Sequence, residues 1–302
     1  MPAARACPVC NAGDDRAERF LAHNIDESRI DASSFASRKT PEYMNHEMVR
    51  CSVCDLVYVA RPPSQDDLAE SYHAADYDSA EEAEDAANAY IRAIAPVLGK
   101  LEGRCDAALE IGTGTGAFLE RLQAAGFTTL VGIEPSVAAI NAAPANRKGW
   151  IREGIFEPGM FPPASFDLIT CFMTLEHVQD PGALVAAAHR MLRPGGVFVA
   201  VTHDYRGWVN RLLGKRSPII DIEHMQLFSA QSSKQLLALR GYCNVGTRQF
   251  RNAYRLSYWL RLVPIPAALK SAVIAVVKRT PVDRFRISFN VGNTVSWGVR
   301  PA

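Results

Sequence analysis

The chain has 302 residues and a formal net charge of +1, with 48% hydrophobic and 22% charged residues. That length suits one large or two modest domains, and the composition is that of an ordinary soluble globular protein. The near-neutral charge argues against bulk nucleic-acid binding, and no uninterrupted apolar run of about eighteen residues is present to cross a membrane.

The first element is a cysteine module. Cys7-Pro8-Val9-Cys10 and Cys51-Ser52-Val53-Cys54 are two C-x-x-C pairs. Four thiolates are the ligand set of a tetrahedral structural zinc; two disulfides are the alternative. No secretory leader precedes the pairs and disulfides are rare in the cytosol, so the reading is a cytoplasmic protein with zinc on Cys7, Cys10, Cys51 and Cys54. An insertion over roughly residues 14 to 45 must loop out between them. Asp14, Asp15, Glu18, Asp26, Glu27 and Asp31 crowd this module with no basic stripe, so it reads as a scaffold or substrate-side module and not as a nucleic-acid reader. The module is expected to span residues 1–62, ending at Arg61-Pro62-Pro63. Cys105, Cys171 and Cys243 are scattered and read as small packing residues.

Residues 63–100 read as a helical lid or linker, with Ser64 an N-cap before Gln65-Asp66-Asp67-Leu68. The acids between Asp66 and Asp85, among them Asp78, Glu81, Glu82 and Glu84, read as a solvated face. Tyr72 and Tyr77 in this segment are candidates to fold over a bound ligand.

From residue 101 the pattern changes to alternating strand and helix. An apolar run, Ala107 to Ile111, carries Glu110 and leads into Gly112-Thr113-Gly114-Thr115-Gly116. A helical stretch follows, Ala117 to Ala125, and then a second apolar strand, 129–134, ends in Glu134. Glycines bend the first turn and let backbone N–H groups approach a ligand closely. An acid ending the second strand can accept hydrogen bonds from both ribose hydroxyls of a nucleoside. The spacing is not Gly-x-Gly-x-x-Gly, and Glu110 beside the turn suits a cationic ligand better than a pyrophosphate; an NAD or FAD half-domain is the alternative. Further strands are expected near 150–153, 166–172, 197–202, 243–250 and 293–299, with helices at 182–192 and from Ser229 to Arg240.

The pattern Glu110-x-Gly112-x-Gly114-x-Gly116 resembles motif I of class I S-adenosylmethionine-dependent methyltransferases. Ser165-Phe166-Asp167-Leu168-Ile169-Thr170, Thr174-Leu175-Glu176-His177-Val178 and Met191-Leu192-Arg193-Pro194-Gly195-Gly196 resemble that family's later motifs, in order. With the cysteine pairs, Pro62-Pro63, Tyr72 and Tyr77, the layout resembles a bacterial subgroup in which a small zinc-binding domain precedes the methyltransferase. That subgroup includes enzymes acting on sugars, surface polysaccharides and natural products. The resemblance implies an α/β, Rossmann-like fold with a seven-stranded methyltransferase sheet, its last two strands antiparallel. It implies that S-adenosylmethionine meets Glu110, Gly112, Gly114 and Gly116 at its methionine end and Glu134 at its ribose. Thr174 and Leu175 would flank the sulfonium. In Glu153-Gly154-Ile155-Phe156 no acid stands at the place expected to touch adenine, so backbone near Ile155 and packing by Phe156 take that place, and Tyr72 closes over the top.

Methyl transfer to a hydroxyl or a carbon acid needs a base. His177 follows strand four beside the cofactor, and Asp221-Ile222-Glu223-His224-Met225-Gln226-Leu227-Phe228-Ser229 resembles a segment over the subgroup's substrate pocket. His224 and His177 are therefore the candidate catalytic residues. Between strands six and seven lies an insert, 251–290, read as a helical cap. Its Trp, Tyr, Leu and Arg content also suits peripheral membrane contact, and from Lys234 onward Asp283 is the only acid.

The expected function is methyl transfer to carbon or oxygen of a small molecule, a sugar or a polysaccharide or natural-product intermediate. One alternative is an O-methyltransferase for a lipid or isoprenoid quinone at the membrane surface. Another is a non-catalytic zinc-ribbon interaction protein. No nucleic-acid partner is expected: the Pro-Pro-Tyr signature of amino-group enzymes is absent where Cys171-Phe172-Met173-Thr174 stands. Oligomeric state is left open.

Overall fold

The computed structural model describes residues 4–31, 34–36, 42–77 and 80–302; Asp78 lies outside the described residues. Three short strands come first: β1 (Ala17–Leu21), β2 (Met48–Cys51) and β3 (Val57–Val59). Helices α1 (Gln65–His73) and α2 (Ala80–Leu98) follow. Next come β4 (Ala107–Ile111), α3 (Ala117–Ala124), β5 (Thr129–Glu134), α4 (Val137–Ala142), α5 (Ala145–Lys148), β6 (Ile151–Glu153) and β7 (Phe166–Phe172). The chain continues through α6 (Pro181–Met191), β8 (Leu192–His203), α7 (Trp208–Leu213), β9 (Gln226–Leu227), α8 (Ala230–Leu239) and β10 (Cys243–Gln249). It ends with β11 (Asn252–Arg255), α9 (Leu256–Leu262), α10 (Ala267–Lys278), β12 (Arg286–Phe289) and β13 (Asn293–Val299).

Seven strands form one sheet in the order β10-β13-β8-β7-β4-β5-β6. The five on the β6 side are parallel, and β13 runs antiparallel to both β8 and β10. Every residue of β7 is buried, as expected of a central strand covered on both faces. Strand five begins earlier than its apolar run: Leu192 already pairs with Phe166, and the register shifts before Leu168 meets Val197. The Pro194-Gly195-Gly196 turn therefore lies inside the strand as an irregularity and not ahead of it. Ser64 caps α1 in a capping box with Asp67, and Ser229 caps α8.

Two departures bear on the site. The N-terminal sheet has the order β1-β2-β3-β9, so its fourth strand comes from far along the chain. Val57 pairs with Leu227 and Tyr58 with Gln226. The cysteines also join the apolar cluster on one face of the large sheet, with Leu109, Ile133 and Phe198. The module expected at 1–62 is thus continuous with the body of the large sheet. The insert at 251–290 is not helical throughout: β11 and β12 form a two-stranded ladder at its base, pairing Asn252 with Phe289.

The acidic run is not a free solvated face either. Three of its acids in α2 meet arginines of the insert: Glu81 with Arg255 at 3.1 Å, Glu82 with Arg261 at 3.4 Å and Asp85 with Arg286 at 2.9 Å. Glu84 turns the other way, to Arg121 at 2.7 Å and Arg147 at 2.5 Å. The acidic stretch and the basic C-terminal third neutralise each other across one interface, which holds the insert over the sheet's carboxyl edge.

Candidate active site

One cavity of about 470 Å³ opens at the carboxyl ends of β4, β5 and β7 and runs under the insert. This is where the crevice of an open parallel sheet takes a ligand. Glu110, Gly112, Gly114, Glu134, Ile155, Phe156, Thr174, Tyr72, His177 and His224 all line it. Two of the expected contacts do not. Leu175 is buried with Cys7, Val9 and Phe228 in the core behind the wall, because the chain turns its side chain away from the carboxyl edge after Thr174. Gly116 N-caps α3 at φ 71°, where an added Cβ would come within 3.3 Å of Arg147; it shapes the turn from outside the cavity.

The glycine loop is built for close approach. Gly112 has φ 76°, and a Cβ there would fall 2.1 Å from Thr174 Oγ1. Only glycine lets β4 turn against the loop after β7. Glu110 is 3% exposed, and Thr113 Oγ1 donates to its Oε2 at 2.5 Å. Burial pushes the Glu110 carboxyl up to about 8, with Thr113 pulling the other way and Glu134 adding to the rise. Such a carboxyl needs a cation to ionise near neutral pH. Glu134, also buried, accepts from Gly114 N at 2.7 Å and Ser136 N at 2.9 Å. Burial raises its carboxyl, and these two backbone donors oppose the rise. One N–H occupies each oxygen, which leaves a second lone pair on each for a vicinal diol.

Opposite this loop lies a group of three histidines. The His177 and His224 rings are 4.8 Å apart and the His224 and His203 rings 5.7 Å. His224 Nδ1 lies 2.9 Å from the carbonyl of Ile219. A carbonyl only accepts, so Nδ1 carries a proton. The hydroxyl of Tyr72 is 3.0 Å from His177 Nδ1 and donates to the carbonyl of Glu223 at 3.3 Å. His177 Nδ1 is also 3.5 Å from Glu223 Oε2. Burial, then Glu223, Asp221 and Glu176, push the Tyr72 phenol well up, so it stays protonated. Glu176, fully buried, accepts from His203 N at 2.7 Å.

The segment carrying His224 is held from both sides. Gln226 Nε2 donates to the carbonyls of Leu175 and Val178 at 2.5 and 2.7 Å, and Met225 N donates to Glu176 O at 2.7 Å. On the other side Val59 N donates to Met225 O at 2.9 Å. Sequence reasoning placed His177 nearer the cofactor and His224 on the substrate side; the fold puts them side by side. It missed His203, Asn252, Asn293 and the aromatic residues of the insert, all on the cavity wall, and gave Asp221 and Glu223 only as part of the segment around His224. The pairing of β8 with β13 is what brings His203 and Asn293 opposite one another, and no local pattern announces it.

Two clusters could hold a metal. The Sγ atoms of Cys7, Cys10, Cys51 and Cys54 lie within 4.8 Å of one another. Cys7 Sγ is 3.4 Å from Cys54 Sγ and Cys10 Sγ 3.5 Å from Cys51 Sγ. Tetrahedral zinc with Zn–S bonds of ~2.3 Å needs S···S spacings of roughly 3.8 Å, so the set fits. Hydrogen bonding from the Cys54 thiol drops the Cys7 thiol to about 5, while the same pairing pushes Cys54 up. His177, Glu223 and His224 also gather within 4.8 Å.

Residues 81–246, more than half the chain, match a family described as methyltransferase domain. The ubiquinone biosynthesis O-methyltransferase of Klebsiella pneumoniae is 30% identical over 113 residues, 35% of this chain and 47% of that one. Its counterpart in Idiomarina loihiensis is 33% identical over 128 residues, 42% of this chain and 44% of that one. The chain thus spans about half the length of the curated relatives it matches. Among solved structures, the YcgJ protein of Bacillus subtilis is 19% identical, covering 70% of this chain and 99% of its own, at a TM-score of 0.49. A Thermotoga maritima protein described as a SAM-dependent methyltransferase, possible histamine N-methyltransferase, is 19% identical, covering 70% of this chain and 95% of its own, at a TM-score of 0.45. By its matched residues, its seven-stranded sheet and the glycine loop at that sheet's carboxyl edge, this chain belongs to the methyltransferase-domain family and has its Rossmann-like fold.

Proposed function

We propose that this protein transfers a methyl group from S-adenosylmethionine to an oxygen or carbon of a small, sugar-like acceptor. The observation that carries the reading is one cavity lined both by the buried, proton-holding Glu110 of the glycine loop and by His224, whose Nδ1 is fixed on the carbonyl of Ile219. Glu110 would meet the cofactor's amino group, Glu134 its ribose, and Gly112 and Gly114 its methionine chain, while Ile155 and Phe156 flank the base. The bound cofactor supplies an electrophilic methyl on a sulfonium. The protein's part is to hold the acceptor in line and remove its proton. His224 Nε2 takes that proton, and the resulting imidazolium is balanced by Glu223, Asp221 and Glu176. His177, held by Tyr72, closes the same wall and is the second candidate. Zinc on the four cysteines would fix β3, and through β9 the segment that carries His224.

The test is His224→Ala on a panel of hydroxylated and nucleotide-linked keto-sugar acceptors. Turnover falls about 10²- to 10⁴-fold with cofactor affinity nearly intact. Full turnover in His224→Ala, with loss in His177→Ala, moves the base to His177.

A second reading is an O-methyltransferase for a lipid or isoprenoid quinone at a membrane surface. The exposed Leu269 and Val276 of α10, with Phe285, favour it, as do the names of the curated relatives. Among the described residues no helix is long and apolar enough to cross a membrane, so this contact would be peripheral. Absence of binding to anionic vesicles in co-sedimentation removes that reading.

A further inference from the structure

The reaction as proposed uses the histidines and the glycine loop, yet the cavity continues past them under the insert. There it is lined by Asn252 and Asn293 and by Tyr254, Tyr258 and Trp259. Asn252 opens β11 and Asn293 opens β13. Phe250, two residues before Asn252, donates its N–H to Asn293 O at 3.1 Å, and both asparagines line the cavity where the main sheet gives way to the insert. They are 2% and 3% exposed, and the Oδ1 of each has no hydrogen-bond donor among the described residues. Leaving a buried amide carbonyl without a donor destabilises a fold, and two at one spot call for an explanation.

Position supplies one. Asn293 pairs across the strands with His203, whose ring lies 5.7 Å from that of His224. Asn293 therefore lies one side chain beyond the histidine proposed to take the proton, and Asn252 lines the same cavity. A carboxamide offers an acceptor and two donors in one plane, which complements a hydroxyl that both donates and accepts. The reacting hydroxyl is spent on His224, so two orphaned carbonyls ask for two further hydroxyls on the acceptor. The insert adds an aromatic surface: Tyr254 lies 4.4 Å from Tyr258 and 5.4 Å from Trp259, centroid to centroid. Such a surface packs against the C–H face of a saturated ring while the amides hold its edge.

We infer that Asn252 and Asn293 form an acceptor subsite that reads two non-reacting hydroxyl groups of a polyhydroxylated ring lying against Tyr254 and Trp259. This rests on the methyl-transfer reading and names the acceptor class for it. The subsite selects against acceptors with a single hydroxyl and against quinone carbonyls, which bring no donors. It also accounts for an insert whose buried face is aromatic but whose base is polar.

The experiment compares wild type with Asn252→Leu, Asn293→Leu and the two alanine variants, each saturated with S-adenosylhomocysteine. Thermal melts without acceptor come first. Removing an unsatisfied amide raises the melting temperature, by about 2 °C for each leucine variant. Leucine variants that melt below wild type would show the amides to be structural and overturn the proposal. Titrations with methyl β-D-glucopyranoside, catechol and cyclohexanol come second. The glucoside binds wild type most tightly of the three, and its affinity falls at least tenfold in both alanine variants while S-adenosylhomocysteine affinity is unchanged. Glucoside affinity that does not fall in the alanine variants overturns the subsite, as does catechol or cyclohexanol matching the glucoside. No S-adenosylhomocysteine binding by wild type sinks the methyl-transfer reading instead, and leaves the melts to judge the asparagines by themselves.

Discussion

Glu110 offers the sharpest test of what the cavity is for. Its carboxyl is raised from an ordinary 4.5 to about 8 because burial strips it of water. An acid whose pKa rises on folding weakens the native state as pH climbs through the unfolded value, and the loss is complete only above the folded one. Between pH 4.5 and 7 that amounts to about 3 kcal/mol, at ~1.4 kcal/mol per pH unit. Glu110→Gln keeps the shape and an acceptor for Thr113 but holds no ionisable proton. Without cofactor the variant should therefore be about 3 kcal/mol more stable than wild type at pH 7. The gap should close as pH falls toward 4.5. Urea unfolding at pH 5, 6, 7 and 8 measures it.

On the proposed reading the same substitution should weaken cofactor binding, because an ammonium group there would pair with a carboxylate and not with an amide. In wild type that binding should release close to one proton below pH 8, detectable by calorimetry in buffers of different ionisation enthalpy. A variant less stable than wild type at pH 7, or a stability gap that does not change with pH, would refute the reasoning. It would mean that Glu110 is ionised and partnered in the empty protein.

Glu134→Ala should cost about 2 kcal/mol of S-adenosylmethionine affinity by titration calorimetry, the loss of charge-assisted hydrogen bonds to a diol. Wild-type affinity would remove the ribose assignment. Purified protein should carry one zinc per chain by metal analysis, lost in Cys54→Ser; zinc near zero in wild type would sink the metal reading. Asp85→Asn should loosen the insert, since it removes the buried carboxylate that holds Arg286 at 2.9 Å. The expected result is faster amide exchange in 252–289 with the sheet unchanged, and identical exchange in both proteins would count against a clasp.

The large sheet was readable because β4 and β5 are short apolar runs closed by a glycine turn and an acid; these two, with β7 and β13, begin and end at the residues the pattern marks. Glu110, Glu134 and the glycine loop could be found because one β-loop-α-β unit holds them all. The acceptor side could not. His203, Asn252 and Asn293 come from the ends of three separate strands, and they meet only through β13 pairing with β8 and the insert's ladder. Leu175 was misplaced for a related reason: the turn at Met173, with φ 51°, sets which side chains after β7 face the crevice, and a linear motif carries no such information. The charges misled in a different way. An acidic run and a basic run each look solvated alone, and only the folded chain shows Glu81, Glu82 and Asp85 facing arginines of the insert.

The pairing of Val57 and Tyr58 with Leu227 and Gln226 makes the cysteine module and the loop that carries His224 parts of one object. A chain trimmed to residues 63–302 would keep all seven strands of the large sheet, and with them the cofactor half of the cavity. It would expose a raw strand edge two residues after His224. Such a fragment should still bind S-adenosylhomocysteine while having lost the means to choose or activate an acceptor. Exchange of acceptor preference between relatives of this architecture would then require moving two distant stretches together, the cysteine module and residues 219–228. Neither is a transplantable unit without the other.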